Sequence, residues 1–94
     1  MVYAILILDL KLSDARSLKQ KRSVIKPLLS RLHKEFNISA AEVEKNDLWD
    51  ESVIACALIS NDKNFASVQL NAVKIFLGHY SREVGIMDYS ITFM

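Results

Sequence analysis

Two stretches of the chain, Val2–Leu12 (VYAILILDLKL) and Ser52–Ser60 (SVIACALIS), are apolar on both faces that a β-strand presents. In the first, Val2, Ala4, Leu6, Leu8, Leu10 and Leu12 alternate with Tyr3, Ile5, Ile7, Asp9 and Lys11. The former set has no polar member and must face a core; the latter is apolar until Asp9. A strand of this kind belongs in the interior of a sheet, because an edge strand keeps at least one side wet. Two such strands constrain the rest of the chain to supply their neighbours and their cover. With only two glycines and one proline among 94 residues, little is left for loops, and a single domain over residues 1–94 is expected.

Between the two lies Arg16–Phe36 (RSLKQKRSVIKPLLSRLHKEF), which reads as one amphipathic helix. Leu18, Ile25, Leu28, Leu29, Leu32 and Phe36 recur on one broad face, with Val24 at its margin. Seven of the twelve cations lie here, namely Arg16, Lys19, Lys21, Arg22, Lys26, Arg31 and Lys34, with no acid before Glu35. Lys19, Arg22, Lys26 and His33 line one flank, with Ser30 in the gap. Cations one turn apart repeat at about 5.4 Å, a ladder that can track phosphates. A solvated helix whose lysine stems lie over the core edge is the plainer reading of the same pattern. Pro27 falls opposite the apolar face, which predicts one kinked helix bent convex toward water rather than two pieces. Ser13 or Ser17 is available as N-cap, and Asn37 as a left-handed C-cap.

The remaining segments follow in order. Ile38–Lys45 is half charged and suits an edge strand. Asn46–Asp50 reads as a loop, with Trp49 either a lid over the core rim or a stacking platform. Asn61 or Asp62 caps a second helix, with Phe65, Val68, Ala72, Ile75, Phe76 and His79 expected on its core side. Leu70, Val73 and Leu77 are expected as a further patch on its flank. Gly85 breaks the chain, and a last strand runs to Met94. The order strand, helix, strand, strand, helix, strand specifies an α+β, ferredoxin-like split βαβ fold. Right-handed crossovers put both helices on one face of a four-stranded antiparallel sheet and the first and third strands at its centre. The uncovered face carries Tyr3, Ile5 and Ile7, which predicts a homo-oligomer formed through the open sheet.

Chemistry-bearing constellations are scarce. Gly78 and Gly85 are the only glycines, so there is no phosphate loop. Cys56 is the only cysteine and sits in an apolar strand, which excludes a disulfide and a cysteine-based metal site. The apolar start MVYAILIL lacks a charged leader region and meets Asp9 early; a cytoplasmic protein without signal peptide or membrane span is expected. Asp47, Asp50 and Glu51 match no calcium-loop spacing, and neither metal nor cofactor is expected. His33 reads as a surface flank residue and His79 as a core-edge one. Acylphosphatases share this topology and hold phosphate with an arginine after the first strand. Arg16 is near such a place, and Asn46 or Asn61 could position water, yet the run of open backbone amides is missing. No catalytic residue is assigned.

The residues Ser17-Leu18-Lys19 with Lys21-Arg22, Ala41-Glu42-Val43, Asp47-Leu48-Trp49 and Ser60-Asn61-Asp62 together resemble the YlxP-like family, over nearly the full length. These are small bacterial proteins whose domain has no known function. The resemblance implies a ferredoxin-like fold and brings no catalytic residues or cofactor. Members are often encoded among genes for translation initiation and ribosome maturation, which implies an RNA or ribosomal subunit as partner. Pro27 and the pair Asp50-Glu51 look like local departures from the family pattern.

The formal net charge of +1 gives no global attraction to polyanions, but the charge is polarised. Against the basic helix stands Glu42–Glu51, with Glu42, Glu44, Asp47, Asp50 and Glu51 opposed by Lys45. Two functions compete on this pattern. One is a non-enzymatic RNA- or ribosome-associated protein in which Lys19, Lys21, Arg22, Lys26 and Arg31 contact phosphate, with Arg16 and Trp49 as further anion or stacking contacts. The other is an assembly module whose basic helix meets the acidic segment of a neighbouring copy.

Overall fold

The computed structural model describes residues 1–94. It places β1 (Val2–Leu12), α1 (Leu18–Glu35), β2 (Ser39–Glu44), β3 (Glu51–Ser60), α2 (Lys63–Gly78) and β4 (Val84–Phe93) in that order. The strands form one antiparallel sheet in the spatial order β2-β3-β1-β4. The two strands with two apolar faces are therefore the central ones. Ala4, Leu6, Leu8, Leu10 and Leu12 of β1 join Ile54, Cys56 and Leu58 of β3 under the helices, where all are buried. The opposite face of the sheet is bare. No helix is long and apolar enough to cross a membrane.

Residue chemistry at the helix ends sets where α1 starts and stops. Ser17 caps it by accepting the Gln20 amide at 3.1 Å, while the Gln20 side chain accepts from the Arg16 amide. This is close to a capping box, in which two orphan donors are satisfied reciprocally. The helix runs through Pro27 as one piece. It ends on Phe36 in an extended conformation, and Asn37 is not left-handed. The Phe36 ring packs edge-on against Phe76 of α2 at 5.7 Å, which draws the chain straight out toward β2. The left-handed residue is instead Lys45, with φ 60°, where the chain turns out of β2.

α2 is capped by Asp62, which accepts from the amides of Asn64 and Phe65. Its orientation about its own axis departs from the expectation from the sequence, of whose core-side residues only Phe76 packs against the core. Ala66, Leu70, Val73 and Leu77 face the sheet and are buried, whereas Phe65, Val68 and Ile75 point to solvent, as does His79. Small Ala66 and branched Val73 let the helix approach the sheet closely; Phe65 there would hold it away.

Candidate nucleic-acid interface

Three of the α1 cations sit together and free. Lys19, Arg22 and Lys26, at three- and four-residue spacings, are exposed and form no ion pair. Arg22 and Lys26 rim a groove of about 440 Å³ between α1 and edge strand β2, floored by Leu18, Ile25 and Leu29. His33 continues the row, but its Nε2 accepts the Ala40 amide of β2 at 3.2 Å and so is occupied. That contact covers one of the outward-facing donors an edge strand would otherwise expose.

Lys21 does not belong to this ladder. It is buried at 2% exposure and its ammonium is fully engaged: 2.6 Å to the carbonyl of Lys45, 2.6 Å to that of Leu48, and 2.7 Å to Glu42 Oε2. The same carboxylate oxygen accepts the hydroxyl of buried Ser52 at 2.6 Å. A buried ammonium without such partners would cost several kcal/mol; here every donor is used, and no buried side-chain polar atom lacks a partner. The sequence contained the signal, since Lys21, Ile25, Leu28 and Leu32 share one stripe at four-, three- and four-residue steps and all are buried. Lys21 thus staples the loop after β2 to the first half of α1.

Arg31 also leaves the ladder. It lies on the opposite flank of α1, with its guanidinium 5.5 Å over the Phe76 ring of α2 and 3.4 Å from Glu35. Arg16 folds its guanidinium onto the carbonyls of Ser13 and Ala15, at 3.1 and 3.0 Å. Asn46 is near this end of the sheet and donates to Glu42, but Asn61 follows β3 at the other end. Arg16 and Asn61 are thus kept apart, which removes one of the two arrangements that an acylphosphatase-like site would use. Trp49 is half-exposed and does not join the residues packed on the core, so it is not a lid. It rides on the loop that Lys21 holds in place.

The acidic segment is largely consumed within the chain. Glu42 pairs with Lys21, Asp50 with Lys11 at 3.0 Å, and Lys45 bridges Asp9 at 3.2 Å and Glu51 at 2.8 Å. The hydrogen bonds to Glu51 and Asp9 raise the Lys45 pKa, and the one from Lys11 lowers that of Asp50. On the bare face of the sheet, Tyr3 is the only aromatic, because Tyr89 and Phe93 of β4 share the helix side with Leu8 and Ala4. Paired aromatics for stacking bases there are missing. No cluster of side chains able to hold a metal ion is present.

These features can be set beside known proteins. At 10% identity the fold resembles the de novo designed protein Foldit4, with a TM-score of 0.56 over 100% of this chain and 97% of that one. In sequence the chain is 33% identical over 67 residues to the uncharacterized protein YlxP of Bacillus subtilis (strain 168), spanning 71% of this chain and 73% of that protein. Residues 3–91 match the profile described as "Protein of unknown function (DUF503)", and the chain belongs to this DUF503, YlxP-like family.

Proposed function

We propose that the protein is a non-enzymatic RNA-binding domain that contacts phosphates through Lys19, Arg22 and Lys26 of α1. One observation carries this reading: these three exposed cations have no ion-pair partner, while Glu42, Asp50, Glu51 and Asp9 are each satisfied by a cation of the same chain. Of the acidic segment, a neighbouring copy therefore offers the ladder only Glu44 and Asp47 unpaired, which weakens the charge-driven assembly reading. RNA supplies what the ladder fits, a regular row of anions. Binding of this kind positions without reading bases, so it is weakly sequence-specific.

The test is binding to ribosomal subunits and to a generic structured RNA across a salt titration. Three phosphate contacts give a slope of about −2.1 to −2.7 in log K against log salt, a loss of about 20–40-fold between about 50 and 200 mM. The triple reversal of Lys19, Arg22 and Lys26 to Glu is expected to abolish binding with the circular-dichroism spectrum unchanged. Equal affinity of that variant, or no binding by the parent at the lowest salt, overturns the reading. Trp49 is the only tryptophan, so its fluorescence also reports whether the adjoining loop meets the ligand.

A further inference from the structure

α2 is apolar on both sides, and only one side has a cover. Its outward stripe, Phe65, Val68, Ala72 and Ile75, lies opposite the buried Ala66, Leu70, Val73 and Leu77, and exposes Phe65 at 55%, Val68 at 64% and Ile75 at 60%. A helix that is hydrophobic all round is normally buried all round. The stripe steps by three, four and three residues, which is the a/d spacing of a helix-pairing seam.

Charge selects what covers it. The cations within α2 are Lys63 and Lys74, and both are turned toward the sheet, 5.0 Å over the Phe93 ring and 4.1 Å over the Tyr89 ring of β4. The positions flanking the seam are Gln69, Asn71, Phe76 and Gly78, none of them charged; the Arg31 guanidinium over the Phe76 ring is paired with Glu35, and His79 takes the next step of the stripe. A heterologous partner would find no unpaired acid or guanidinium along the seam to recognise, whereas an identical surface meets no repulsion. The stripe also matches itself when antiparallel. Phe65 of one copy falls opposite Ile75 of the other, and Val68 opposite Ala72, a large residue facing a smaller one at each step.

We propose that α2 is a self-association surface: two copies of this chain pair through their outward α2 faces in a two-fold, antiparallel arrangement. The interface is isologous, so it closes at two subunits. A helix of 16 residues offers only about 24 Å of contact. That is less than a standard interface supplies, so the dimer is weak and concentration-dependent.

Sedimentation equilibrium of the full chain from about 10 μM to 1 mM, a range spanning weak interfaces, tests this. The mass is expected to rise from 10.7 kDa toward twice that value. Val68→Glu and Ile75→Glu, both at solvent-exposed positions, are each expected to hold the monomer mass with an unchanged circular-dichroism spectrum. Ile59→Glu, on the bare sheet face and 71% exposed, is expected to dimerise like the parent. A parent that stays monomeric throughout overturns the proposal. So does a dimer that survives both α2 substitutions, or one that only Ile59→Glu dissolves.

Discussion

Lys21→Met removes the buried ammonium while keeping an unbranched stem of similar length. Left behind are the Glu42 carboxylate and the carbonyls of Lys45 and Leu48, each of which loses a charge-assisted contact of 2.6–2.7 Å. Breaking a buried pair from one side costs about 3–5 kcal/mol. Glu42 keeps 17% side-chain exposure and still accepts the Ser52 hydroxyl, and Leu48 lies at the surface, so water re-solvates part of what is stranded. The expected loss is therefore near the lower end, about 3 kcal/mol, or roughly 12–24 °C in Tm for a domain of this size. Urea unfolding followed by circular dichroism measures it, and Trp49 fluorescence follows the stapled loop in the same samples. Lys21→Met combined with Glu42→Leu and Ser52→Ala is expected to recover about 1–2 kcal/mol, because the orphaned carboxylate and the buried hydroxyl that depends on it are both gone. A single variant within about 0.5 kcal/mol of the parent would refute the reasoning and return Lys21 to the set of free surface cations.

Two further outcomes follow from the fold. Pro27 lies inside α1 and is exposed, so Pro27→Ala restores a helical amide without disturbing the core and is expected to raise stability by about 1–3 kcal/mol in thermal denaturation; an unchanged or lower Tm contradicts this. Burial pushes the Cys56 thiol from its ordinary 9.0 up to about 11, so above pH 9 the unfolded chain releases a proton that the folded one keeps. Stability is then expected to fall by about 2–3 kcal/mol as pH rises from 9 to 11, and Cys56→Ala to flatten that fall. Lys45, whose raised pKa stabilises the fold below 10.5 and ceases to do so above, acts in the same direction, which makes 9 to 10.5 the window for the comparison. Equal slopes in the two proteins there contradict the assignment.

The sheet was legible in the sequence and the rotation of α2 was not, for one physical reason. In β1 the period of two leaves only Asp9 and Lys11 as polar positions, and both fall on the same side, so a single register satisfies the pattern. α2 has apolar residues on opposing sides, and a helical wheel with two apolar faces cannot say which one meets the sheet. Volume decides that, through Ala66 and Val73, and volume matters only once a neighbour is in place. Lys21 is an intermediate case. Within KQKR it looks like any other cation, and only its step to Ile25, Leu28 and Leu32 marks it as internal. Asn37 misled because left-handed caps are a statistical habit of asparagine, and here the docking of Phe36 on Phe76 fixed the helix exit instead.

The two proposed surfaces share the helical layer without competing for it. The ladder lies on the flank of α1 that faces β2, while α2 lies beyond the opposite flank, where Arg31 reaches Phe76. Pairing through α2 therefore leaves a ladder free on each copy. This matters because three phosphate contacts on a chain of net charge +1 would hold RNA weakly. Two ladders carried by one dimer turn the second set of contacts into an intramolecular event, provided the RNA spans both. A ligand that engages both ladders binds the dimer better than the monomer and so draws the equilibrium toward it. Taken together, the two proposals need only a weak α2 seam, because an RNA spanning both ladders would decide when two copies are held together.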